Sequence, residues 1–82
     1  MNDTEILVII RGALTEVAPT RKEEFASATL DMKIEDLALD SIATMEMVSA
    51  IEDKLETTFE EAELAKVSKL GDLARLMRAA RA

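Results

Sequence analysis

The chain has 82 residues, a net charge of −7, and neither His nor Cys. That length holds one folding unit, read here as a single domain over 1–82. The two missing residue types exclude the usual neutral-pH general base, a thiolate nucleophile, disulfides, and zinc or iron–sulfur ligation, so no catalytic residues and no metal site are expected.

A hydrophobic share of 49% supports a packed core, while 2 Gly, 1 Pro and 2% aromatics remove most turn and strand signals. The composition predicts an all-α fold. The acidity disfavours nucleic acid and anionic membrane as partners. No basic leader, signal-type apolar core or run of membrane-spanning length is seen, which predicts a cytoplasmic monomer with no membrane insertion.

In chain order, Ile6, Ile10, Ala13 and Val17 recur at i, i+4, i+7 and i+11, with Leu7 and Leu14 widening the stripe. Asn2, Asp3 and Thr4 offer caps and Pro19 pushes Ala18 out of the helical region, bounding a first helix of about four turns. Residues 19 to 40 lack a sustained period and read as a long connection, anchored by Phe25, Leu30, Ile34 and Leu37. Within it, Thr20 and Glu23 match a capping box for a short turn.

A second helix is predicted from Ser41 to Leu55, with Thr44, Met47, Val48, Ile51 and Leu55 toward the core. Thr57 and Thr58 interrupt it; Thr58 with Glu61 then matches a capping box for a short helix carrying Leu64 and Val67. Ser68 is expected to cap a last helix with Leu70, Leu73, Leu76, Met77 and Ala80 apolar, and with Arg75, Arg78 and Arg81 toward its C-terminal end. The outcome is a small four-helix bundle of three longer helices and one short one, with a long loop between the first two.

The charge is concentrated. Glu35, Asp36, Asp40, Glu46, Glu52, Asp53, Glu56, Glu60, Glu61 and Glu63 face Lys54 alone, a net −9 over that segment, whereas the rest of the chain is slightly positive. Such a segment attracts a basic partner. Off the core stripe of the second helix lie Ile42 and Met45 beside Glu46, Glu52 and Asp53: an apolar pair ringed by acids, next to Ser41. At the start of that helix the Ser41 hydroxyl lies beside N–H groups without intrahelical partners, where an esterified phosphate would be stabilised. The plainer reading is that Asp40 and Ser41 are a helix cap and the acids a solvated face.

The run Leu37-Ala38-Leu39-Asp40-Ser41-Ile42, followed by Met45-Glu46-Met47-Val48 and Ile51-Glu52-Asp53-Lys54-Leu55, resembles the Asp-Ser-Leu/Ile region of acyl carrier proteins, and the helix order agrees over nearly the whole chain. The resemblance implies a 4′-phosphopantetheine arm on Ser41, attached from coenzyme A by a phosphopantetheinyl transferase using magnesium. The thiol of that arm would hold acyl intermediates as thioesters for fatty acid, polyketide or related biosynthesis. It implies that Asp40 assists arm transfer, and that Ile42, Met45, Glu46, Glu52 and Asp53 dock acyl-loading and acyl-processing enzymes bearing basic patches.

The chain departs from the family pattern at Ala38, where Gly is usual, at Leu39, which is bulkier than usual, and at Ala43, which replaces an acid. Leu-Asp-Ser is also similar to aminoacyl and D-alanyl carriers, and a peptidyl carrier is a further alternative. Of a different class is an unmodified acidic helical adaptor that binds a basic partner. The Met-rich, nearly aromatic-free core around Met47, Val48, Ile51, Leu64, Val67 and Leu73 suits helices that part to admit an acyl chain, or an ordinary closed core.

Overall fold

In the computed structural model, which describes residues 1–80, the chain begins with a capping box. Asn2 accepts from the Glu5 N–H while the Glu5 carboxylate accepts from the Asn2 N–H, and helix α1 runs Asp3–Val17. It stops where Pro19 requires it to, with Ala18 at φ −138°, ψ 76°. Ile6, Ile10, Ala13 and Leu14 are buried and α1 packs chiefly against α3, Ser41–Leu55.

The 19–40 connection carries more local order than its aperiodic sequence suggests. A 3-10 turn over Pro19–Arg21 leads into a one-turn helix α2, Lys22–Phe25, and a second 3-10 turn spans Ile34–Leu37. The expected Thr20–Glu23 capping box is not formed, because Arg21 occupies the cap position of α2 and no side chain caps it. Two arginines anchor this connection by its carbonyls: Arg11 donates to Ala28 O (2.7 and 3.2 Å) and Arg21 to Leu37 O (2.6 Å). Phe25, Ala28 and Leu37 are buried beneath them.

A short helix α4, Glu61–Leu64, and the final helix α5, Leu70–Ala80, complete the bundle. Glu60, not Thr58, sits at the start of α4, and no side-chain cap is made there; α4 ends at Leu64, leaving Val67 in the turn that follows. At the start of α5 the acid acts in place of the hydroxyl: the Asp72 carboxylate accepts from the Ser68 and Lys69 N–H groups (2.9 and 3.0 Å). Those two donors hold the Asp72 pKa below its ordinary 3.8, with Lys69 contributing most.

Residues 30–34 lie along the α4–α5 connection. Ile34 N–H donates to Ser68 O, Leu70 N–H to Met32 O, and Gly71 N–H to Leu30 O at 2.7 Å, around one antiparallel bridge between Lys33 and Lys69. Leu70, Leu73, Ala74 and Met77 of α5 face the core, whereas Leu76 is half-buried and Ala80 exposed. Arg78 pairs with Asp3 and Arg75 with Asp72; Arg81 lies outside the described residues. Among the described residues no helix is long and apolar enough to cross a membrane.

Candidate functional site

Helix α3 starts at Ser41 because Asp40 caps it. Asp40 is extended (φ −76°, ψ 176°), its Oδ1 accepts from Ala43 N–H at 2.7 Å, and its carbonyl accepts from both the N–H and the hydroxyl of Thr44 at 2.9 Å. This cap leaves Ser41 as the first residue of the helix, exposed, and its hydroxyl makes no hydrogen bond among the described residues. A hydroxyl so placed is free to be esterified, and the positive end of a 15-residue helix suits a phosphate.

The approach to this cap is strained. Ala38 stands in the left-handed region at φ 55°, ψ 41°, where a Cβ is disfavoured and glycine is not. The departure from Gly at this position is therefore a departure at a place where glycine has a physical advantage.

Around Ser41, α3 presents the residues singled out from sequence. Ile42 and Met45 are 73% and 62% exposed, and Glu46 and Asp53 are exposed on the same helix. Glu52 differs. It is half-buried and its Oε2 accepts from the Phe59 N–H at 2.7 Å, so its carboxylate is engaged in holding the α3–α4 connection.

The groove in which Ser41 lies has no signature in the sequence: it is an open space of about 590 Å³ lined on its far side by Lys33, Ile34, Glu35, Val67 and Ser68. These come together through the Ile34 N–H to Ser68 O hydrogen bond, a backbone pairing 34 residues apart that leaves no local periodic signal. Beneath it is a tighter cavity of about 140 Å³ lined by Ile34, Thr44, Met45, Val48, Leu64, Val67 and Leu73. Four of the six residues expected to flank an acyl chain (Val48, Leu64, Val67 and Leu73) line it, while Met47 and Ile51 are buried in the closed core.

Residues 8–77 match the family model described as "Phosphopantetheine attachment site". A curated relative, the acyl carrier protein of Exiguobacterium sibiricum, is 34% identical over 74 residues, covering 89% of this chain and 90% of its own length. No solved structure matches. The matched span includes the capped helix, the exposed serine and the groove beside it. Proteins of this kind are carriers and not enzymes, and their prosthetic group is covalently bound 4′-phosphopantetheine. By family model and curated relative alike, this chain belongs to the acyl carrier proteins.

Proposed function

We propose that Ser41 carries the 4′-phosphopantetheine arm, and that this single carrier unit delivers acyl groups to enzymes of fatty acid, polyketide or related biosynthesis in the cytoplasm. The observation that carries this reading is the exposed hydroxyl at the capped start of α3, without a hydrogen bond among the described residues and within the matched span. When bound, the arm supplies the thiol that this Cys-free chain lacks and on which acyl groups are held as thioesters. Asp40 sets where the helix begins and so fixes the serine's position; one of its carboxylate oxygens is used by Ala43 N–H, leaving the other to face an incoming transferase and its magnesium.

Ile42 and Met45 form the apolar centre of the docking surface, with Glu46 and Asp53 as its acidic rim. Exposed ion pairs are worth about 0–1 kcal/mol each, so the rim steers basic patches and lets them go, as a shuttle working as a monomer requires. Glu52 contributes field to this surface while its carboxylate holds Phe59.

The cavity of about 140 Å³ supports transient shelter of a short acyl chain, since an apolar cavity of about 150 Å³ accepts a benzene-sized guest. Amide shifts compared between the bare and acyl-loaded arm check this: changes at Val48, Leu64 and Leu73 are expected, and an unperturbed bundle rejects it.

The attachment itself is tested by intact mass after incubation with coenzyme A, magnesium and a broad-specificity transferase. Wild type gains one arm and Ser41→Ala gains none. An unmodified wild type would favour the acidic adaptor.

A further inference from the structure

Arg21 makes three contacts at once. Its guanidinium lies 4.6 Å from the centre of the buried Phe25 ring, pairs with Glu24, and donates to the Leu37 carbonyl at 2.6 Å, 16 residues along the chain. Leu37 ends the 3-10 turn whose last hydrogen bond, Ala38 N–H to Glu35 O, is long at 3.3 Å. The next residue is the left-handed Ala38, and two residues on is the Asp40 cap that sets Ser41.

A turn closed by a long hydrogen bond beside a residue in a disfavoured conformation holds itself poorly. It is held here from outside, by a charge-assisted bond roughly twice as strong as a neutral one and by a guanidinium fixed over an aromatic face. Among the described residues, Arg21 is the side-chain donor to the 34–39 segment. We propose that Arg21 is a positioning residue for arm attachment: by anchoring the Leu37 carbonyl it keeps Ala38 left-handed and fixes the direction from which the chain enters α3, so that the Ser41 hydroxyl is presented outward.

This inference rests on Ser41 as the attachment residue. It is tested with wild type, Arg21→Gln, Ala38→Gly and the double variant, each followed by amide hydrogen exchange and by the kinetics of arm transfer. In Arg21→Gln, exchange at Ala38, Ala43 and Thr44 is expected to quicken about tenfold, as loss of a charged hydrogen bond implies, with Ile10 and Leu14 of α1 changing less than about twofold. The kcat of transfer falls in parallel and KM holds. The Ala38→Gly background, which relieves the Cβ penalty, shrinks the Arg21→Gln effect to about threefold or less.

Equal acceleration in α1 would reduce Arg21 to a general stabiliser and overturn the proposal. So would undisturbed amides at 38–44, a rise in KM alone, which marks direct contact with the transferase, or an Arg21→Gln effect undiminished in the Ala38→Gly background. A wild type that takes no arm sinks the Ser41 reading instead, while the exchange contrast still decides whether Arg21 sets this segment.

Discussion

Glu52 Oε2 and the Phe59 N–H are joined by a hydrogen bond of 2.7 Å, so one of the three acids of α3 belongs to the fold's interior bonding. Neighbouring Asp53 is exposed. The two acids are separable by experiment. Glu52→Ala leaves the Phe59 amide without its acceptor and is expected to cost about 1–2 kcal/mol, a fall in Tm of roughly 4–8 °C per kcal/mol for a domain of this size. Asp53→Asn is expected to stay within about 0.5 kcal/mol of wild type while weakening the salt-sensitive part of partner docking. Equal thermal effects from the two would contradict this division.

Among the described residues, Ala38 and Glu56 are the two non-glycine residues at positive φ (55° and 52°). Glu56 ends α3 in a Schellman arrangement, its N–H donating to Asp53 O and the Thr57 N–H to Glu52 O. Glycine is unstrained at both, though it adds freedom to the unfolded chain. Ala38→Gly and Glu56→Gly are each expected to stabilise by about 0.5–1 kcal/mol, read as a rise in the urea midpoint at unchanged slope. A lowered midpoint at Ala38 would refute the strain argued there.

The Asp72 carboxylate is held below its ordinary pKa by the Lys69 and Ser68 N–H groups. A folded-state pKa lower than the unfolded one means the unfolded chain takes up the proton more readily. The stabilisation is therefore complete above pH 3.8 and disappears as pH falls through the lower folded value. The urea-midpoint gap between wild type and Asp72→Asn should be open near neutral pH and close in acid. A gap independent of pH would contradict the assignment.

The two glycines should respond oppositely to alanine. A Cβ on Gly71 would come within 3.0 Å of the Leu30 carbonyl oxygen, a backbone atom that cannot swing aside, whereas one on Gly12 meets nothing within 4 Å. Gly71→Ala is expected to destabilise by about 1–3 kcal/mol, and Gly12→Ala, within α1, to stabilise by up to about 1 kcal/mol. Thermal melts of the pair check both signs.

The legible parts of this chain were those written in local periodicity. The 3.6-residue stripe of Met47, Val48, Ile51 and Leu55 and the Asp40 cap delimit α3 at the residues observed, Ser41–Leu55, and Pro19 ends α1 where its steric reach requires. What escaped was non-local. The groove beside Ser41 depends on residues 30–34 meeting 68–71 through backbone groups, and backbone groups carry no side-chain signature. The capping boxes expected at Thr20 and Thr58 do not form for a related reason: α2 and α4 have four residues each, so the packing of the buried Phe25 and the half-buried Leu64 against the core sets their position more than a cap does. Glu52 looked like a rim acid because its spacing is that of the solvated face; only the return of the chain at Phe59 gives it an inward partner.

The most direct test is fragmentation mass spectrometry of the chain purified from its native cell. A phosphodiester-linked pantetheine is expected on Ser41, with an acyl group that hydroxylamine releases. A bare Ser41, or the same modification on another hydroxyl such as Ser49, would contradict the account.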